Sequence, residues 1–199
     1  MKIACLDFEG VLVPEIWVNL AEQTGILEFR VTTRDMPDYN ELMQFRLELM
    51  AKHRLGYDDL NSAAAKLEPL AGALEFLVWL RGNYQVAIIS DTFYELAGPL
   101  LNKLDNPMTL CHRLTVGSDG NIVDYRLRQT DPKRHSVKAF QSLGYQVVAA
   151  GDSYNDISML EQSENGILFR PSEKVVENYP NFPVALDYGE LKAMYAKLI

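Results

Sequence analysis

The chain has 199 residues, of which 48% are hydrophobic, and it carries 19 Lys and Arg against 27 Asp and Glu, a formal net charge of -8. Such a chain buries an ordinary globular core, while its averaged field repels phosphate backbones and anionic lipid, so neither nucleic acid nor a membrane is expected as a partner. An anionic small molecule needs a local positive pocket or a bound cation.

Cys5 and Cys111 belong to no C-x-x-C or Cys/His cluster, so no disulfide framework or zinc site is expected. No segment reaches the roughly 20 apolar residues of a bilayer span. The apolar start is broken by Asp7 before it could serve as a signal core, so a cytoplasmic location is expected.

The opening "MKIACLDFEGVLVPE" reads as a buried strand that ends in Asp7 and Glu9 with Gly10 behind them. Packing alone gives no reason for two carboxylates there. Residues 14–72 then read as helices. "PEIWVNLAEQTG" places Ile16, Leu20 and, less regularly, Trp17 on one face and stops at Gly25; "PDYNELMQFRLELMAKHRLG" carries Leu42, Phe45 and Leu49 at helical spacing and stops at Gly56; "YDDLNSAAAKL" follows. Pro69 marks a boundary before the helical "AGALEFLVWLRGN". The expected organisation is a core of residues 1–13 and 73–199 with a helical cap of residues 14–72. Extra helices packed on the flank of the sheet are the plainer alternative.

Farther on, "YQVAIIS" is a strand ending at Ser90, and Ser90, Asp91 and Thr92 could each cap a helix starting near Phe93. "CHRLTVGSDGNIVDYRLRQ", residues 111–129, alternates around a Ser118-Asp119-Gly120 turn and reads as a hairpin. In "TDPKRHSVKAF" Asp131 is the expected N-cap, Pro132 the first helical residue, and Lys133 lies in the first turn. "YQVVAAGD" ends at Asp152, "GILF" begins at Gly166, and "YGELKAMYAKLI" closes the chain as an amphipathic helix. Continuous apolar runs alternating with helices indicate an α/β fold with a parallel sheet covered on both faces.

In an open parallel sheet the ligand crevice lies outside the carboxyl ends of the strands. Asp7 with Glu9, Ser90 with Asp91 and Thr92, and Asp152 with Ser153, Asn155 and Asp156 would all meet there. Each group alone reads equally well as a cap or a polar turn. Together, Asp7, Glu9, Asp152 and Asp156 repel one another unless a cation or proton relieves them. With no His or Cys offered nearby, an oxygen-seeking cation such as Mg2+ fits, and a phosphate ester is its natural companion. Asp7 can then attack phosphorus as a carboxylate nucleophile, and Glu9 can protonate the leaving oxygen. Lys133 opposes the helix dipole as mere scaffold, but an ammonium and a helix N-terminus aimed together at a phosphate remove that conflict. A solvated lysine is the plainer reading.

"DFEGV", "SDT", Lys133 and "GDSYND" resemble, in order and spacing, the four motifs of the haloacid dehalogenase superfamily, and the helical insertion resembles the cap of its phosphoserine phosphatase branch. The resemblance covers nearly the whole chain and implies a Rossmann-like core. It implies Asp7 as nucleophile, Glu9 as acid-base residue and metal ligand through its backbone carbonyl, Ser90 and Lys133 on the phosphoryl group, and Asp152 on Mg2+. Asn155 and Asp156 match positions that orient the substrate phosphate or the metal's water shell. Asp91 and Thr92, where the branch usually has glycines, join Ser90 as candidate substrate-binding residues. Glu9 stands where the family usually has aspartate; with "SDTFYE", "PEIW" and "DPKR" it resembles those members that also pass the phosphoryl group to homoserine. Glu15 and Arg46 match the positions that hold the amino acid's ammonium and carboxylate, with Arg30 or Arg34 as substitutes for Arg46. Trp17 and Met43 are expected to pack rather than touch substrate. The implied partners are phosphoserine and homoserine, with a second copy of the chain as the one protein partner considered. Another small phosphate ester, or a receiver-like module phosphorylated on Asp7, are the alternatives; Glu9 and residues 14–72 argue against the module.

Overall fold

Successive residues of the first strand alternate across the sheet, Ala4 and Leu6 joining one buried apolar cluster and Ile3 and Cys5 another. A strand buried on both faces must be apolar throughout, so this run shows no polar alternation. Truncating a fully buried leucine such as Leu6 to alanine costs about 2–5 kcal/mol.

The computed structural model describes residues 1–33, 35–36 and 38–199. Its strands are β1 (Lys2–Leu6), β2 (Gln85–Phe93), β3 (Met108–Val116), β4 (Ile122–Arg126), β5 (Gln146–Gly151), β6 (Asn165–Phe169) and β7 (Val184–Ala185). Among the described residues they form one seven-stranded sheet in the order β4-β3-β2-β1-β5-β6-β7. Every neighbouring pair is parallel except β3 with β4. Leu6 lies opposite Ile88 on one side and Ala150 on the other, and the Asp7 amide donates to the Ala150 carbonyl at 3.0 Å. That register brings the carboxyl ends of β1, β2 and β5 to one edge.

The helices are α1 (Ile16–Thr24), α2 (Tyr39–His53), α3 (Tyr57–Lys66), α4 (Ala73–Arg81), α5 (Tyr94–Lys103), α6 (Pro132–Ser142), α7 (Ile157–Gln162), α8 (Glu173–Asn178) and α9 (Tyr188–Ala196). Buried residues of the insertion, among them Phe29, Met43 and Leu60, join the same apolar cluster as Ala4 and Leu6. The closing helix α9 buries Leu191 and Tyr195.

Three local expectations are corrected. The second strand runs through Ser90 to Phe93, because the ladder resumes at Phe93 opposite His112 after an irregularity, and Phe93 rather than Ser90, Asp91 or Thr92 precedes α5. Helix α2 ends at Arg54 in a left-handed conformation with φ 56°, and Gly56 instead opens α3, its amide held by the Asp59 carboxylate at 2.8 Å. Asp131 does occupy the residue before α6, but its side chain makes no cap; it accepts from Arg134 Nε at 3.0 Å and Ser158 Oγ at 2.7 Å. The hairpin forms as expected from β3 and β4, with Gly120 at φ 81° in the turn.

Candidate active site

Asp7 leaves β1 into a buried position where Lys133 Nζ lies 2.9 Å from its Oδ1. Lys133, 1% exposed in the first turn of α6, also reaches Asp156 Oδ1 at 2.5 Å and stands 3.7 Å from Asp91 Oδ2. Asp156 is anchored from behind, since its Oδ2 accepts from the Asp152 and Ser153 amides at 2.8 and 3.1 Å. Two glycines make room for these carboxyl groups. A Cβ on Gly151 would sit 2.3 Å from the Asp156 carboxyl carbon, and one on Gly10, itself at φ 82°, would sit 2.6 Å from that of Asp152.

One carboxylate oxygen from each of Asp7, Asp152 and Asp156 lies within 4.8 Å of the others. Burial raises the Asp7 carboxyl well above its usual range, Asp156 and Asp152 raise it further, and Lys133 offsets only part of this. Burial disfavours the Lys133 ammonium, yet Asp156, Asp7 and Asp91 outweigh it and hold the proton well above the ordinary lysine range. One ammonium thus serves more carboxylates than it can neutralise. The donor set is all oxygen and its surplus charge is negative, which fits a hard divalent cation such as Mg2+. The Glu9 carboxylate lies outside this trio.

Glu9 turns instead toward the insertion. Its Oε2 accepts from the Ile16 amide, at the start of α1, at 2.8 Å. Burial raises its carboxyl, against the pull of the Ile16 amide, the Thr92 hydroxyl and Arg46. A carboxyl placed this way is suited to carry a proton. Arg46 is 5% exposed, with its guanidinium carbon 4.7 Å above the Trp17 ring and Nη2 donating to the Val31 carbonyl at 3.1 Å. Burial lowers its pKa, while Tyr39, Glu9 and Glu15 support the charge. Its buried Nε has no hydrogen-bond partner among the described residues.

Asp7, Ser90 and Asp152 from the strand ends and Glu15, Trp17 and Arg46 from the insertion line one cavity of about 50 Å³. Ser90 Oγ accepts from the Thr92 amide at 3.1 Å, which leaves its proton available. Asn155 lines the same cavity, but its Nδ2 donates to Asp91 Oδ2 at 2.8 Å and its Oδ1 accepts from Ser153 Oγ at 2.5 Å. Trp17, expected only to pack, lines the cavity; Met43 is buried in the core. Arg30 pairs with Glu22 at 3.2 Å on the surface, and Arg34 lies outside the described residues.

Sequence reasoning missed Tyr39, whose hydroxyl donates to the Asp91 carbonyl at 2.5 Å, and His112, whose Nε2 is 3.3 Å from Asp91 Oδ1. For Tyr39 a signal existed: Tyr39, Leu42 or Met43, Arg46 and Leu49 recur at helical spacing, which turns Arg46 inward with its apolar neighbours. For His112 none existed, since its partner lies 21 positions away.

A model of haloacid dehalogenase-like hydrolases matches residues 13–161. The chain is 52% identical over 197 residues to phosphoserine phosphatase ThrH of Pseudomonas aeruginosa, covering 99% of this chain and 96% of that protein. It is 51% identical over 197 residues to a phosphoserine phosphatase of Pseudomonas syringae pv. tomato, covering 99% of this chain and 83% of that one. Its fold matches a phospho-aspartyl intermediate analogue of phosphoserine phosphatase with a TM-score of 0.81 at 21% identity, over 98% of both chains. With half of its relatives' residues and the fold in common, the chain belongs to the haloacid dehalogenase-like hydrolase family.

Proposed function

We propose that the protein is a phosphoserine phosphatase that forms a phosphoryl-aspartate on Asp7, with residues 14–72 as a cap over the core. The observation that carries this reading is one cavity holding both Asp7 and the buried Arg46, whose Nε has no partner among the described residues. An unpartnered guanidinium N–H calls for an acceptor, and a bidentate carboxylate suits it. Glu15, in the same cavity, offers the opposite charge to an ammonium. The substrate named for the Pseudomonas relatives has both groups besides its phosphate.

In the first step the Asp7 carboxylate attacks phosphorus, the P–Oγ bond of phosphoserine breaks, and Glu9 gives its proton to the departing serine oxygen. Lys133 and the Ser90 hydroxyl offset charge on the phosphoryl oxygens. In the second step Glu9 takes a proton from water, whose oxygen attacks phosphorus and releases phosphate from Asp7. Asp7, Asp152, Asp156 and the Glu9 carbonyl would hold Mg2+, which supplies positive charge against the phosphoryl oxygens. Besides its place in that cation site, Asp156 fixes Lys133, and Asn155 fixes Asp91. Homoserine, which shares the ammonium and carboxylate that Glu15 and Arg46 would grip, replaces water as acceptor in a second activity.

The test is phosphorus NMR of phosphoserine with Mg2+, with and without homoserine, for the wild type and Asp7→Asn. Inorganic phosphate should appear with the wild type, O-phosphohomoserine should appear beside it when homoserine is present, and the variant should give neither. Turnover by Asp7→Asn near the wild-type rate would remove the mechanism; phosphate without O-phosphohomoserine would leave the phosphatase alone.

A further inference from the structure

We propose that His112 is a positioning residue, whose Nε2–H anchors the Asp91 carboxylate and so keeps Asp91 from capturing the Lys133 ammonium. The inference rests on the reading of Lys133 as the cation of the phosphoryl site.

His112 is 2% exposed on β3. Its Nδ1 accepts from the Arg128 main-chain amide at 3.2 Å, so the ring proton belongs on Nε2, which faces Asp91 Oδ1 at 3.3 Å. The ring cannot easily turn: Tyr39 packs edge-on at 5.8 Å between centroids, and Phe93 lies at 6.2 Å. Asp91 is held at two further points. Its Oδ2 accepts from Asn155, and its main-chain carbonyl accepts from Tyr39.

The consequence lies in a distance. Lys133 hydrogen-bonds Asp156 and touches Asp7 at 2.5 and 2.9 Å, but Asp91 stands off at 3.7 Å, beyond an ordinary N–H···O bond. The Lys133 ammonium draws the ionised Asp91 carboxylate inward, while Asp7 and Asp156, already on the ammonium, repel it. The two anchors, His112 on one oxygen and Asn155 on the other, fix where it stands between these forces. Without His112, Asn155 alone holds the Asp91 carboxylate, which can then close onto Lys133 and compete with the incoming phosphoryl group. Asp91 is ionised as this requires: burial opposes its charge, but Lys133, His112 and Asn155 bring its pKa down to about 2.

The experiment compares His112→Phe, His112→Gln, Asp91→Asn and the double variant His112→Phe/Asp91→Asn, on phosphoserine and on an aryl phosphate that has no amino acid to recognise. The phenylalanine keeps the ring but loses the donor, and kcat/KM should fall about tenfold or more on both substrates. Glutamine, whose amide N–H can stand in for Nε2–H, should recover to within about threefold of wild type. On the Asp91→Asn background the His112→Phe loss should shrink to within about threefold, because a neutral amide no longer competes for the ammonium. Wild-type turnover in His112→Phe, or an equal loss in the glutamine variant and on the Asp91→Asn background, would overturn the proposal and leave a packing role. Nitrogen-15 NMR of the wild-type protein reads the tautomer without any variant or turnover: an Nε2–H ring supports the proposal and an Nδ1–H ring overturns it. The expected pattern on the aryl phosphate with no turnover of phosphoserine would keep this inference and remove the phosphoserine reading.

Discussion

Arg46 shows how much a single side chain can combine. It covers the Trp17 ring, ties α2 to the Val31 carbonyl, and still keeps one buried N–H without a partner among the described residues. A guanidinium serving only as scaffold would leave no buried donor unmade, since such a group costs about 1–3 kcal/mol. Arg46→Ala should therefore lower kcat/KM for phosphoserine about tenfold or more, in line with the loss of roughly 1.5–3 kcal/mol for a hydrogen bond to a charged group, while sparing an aryl phosphate. Arg46→Lys should restore little, because a point charge lacks the planar fork. Steady-state kinetics on the two substrates checks this, and equal losses on both would assign Arg46 to the support of the insertion alone.

At the scale of elements, the hairpin β3–β4 braces the insertion. The Tyr57 amide at the start of α3 donates to the Gly120 carbonyl in the hairpin turn at 2.8 Å, and Tyr125 of β4 donates to Asn40 of α2 at 3.0 Å. The approach is close because Gly56 has no side chain; a Cβ there would sit 2.9 Å from the Gly120 carbonyl oxygen. The Gly56 backbone, with φ -114° and ψ -170°, is extended and open to any residue, so contact rather than strain selects glycine. Gly56→Ala should cost about 1–3 kcal/mol by overpacking against main chain. Urea unfolding would show the loss, and a midpoint unchanged from wild type would mean that the hairpin yields freely.

For the whole molecule, the largest imbalance is the buried acid at the sheet's carboxyl edge. Asp7 comes from the end of β1, Asp152 and Asp156 from the loop and turn after β5, so a cation held among them joins segments about 150 residues apart in sequence. Binding to the native state alone stabilises it by about 2.7 kcal/mol at a hundredfold excess over Kd. Mg2+ should therefore raise Tm in a thermal scan, Asp152→Asn should lose most of that rise, and chelation should stop turnover until Mg2+ is returned. A Tm that ignores Mg2+ in the wild type would remove the cation from the site.

Some of this was determined by the sequence alone because the signal is local. An apolar run ending in Asp7, another meeting Ser90 and a third meeting Asp152 are anomalies within a few residues of each strand, and parallel strands share one functional edge. The helical pattern of residues 14–72 is likewise short-range and periodic. Local signals misled where two readings share one residue type: a serine or aspartate before a helix looks like a cap, yet β2 runs on to Phe93 and the Asp131 carboxylate reaches Arg134 and Ser158. Only the tertiary structure decided that Arg46 rather than Arg30 enters the cavity, that Glu9 faces α1 rather than the acidic trio, and that Asp91 is shared among Tyr39, His112, Lys133 and Asn155. Those choices depend on helix rotation and on strand register between segments far apart in the chain, and no periodicity or spacing in the sequence encodes which partner a buried charge will meet.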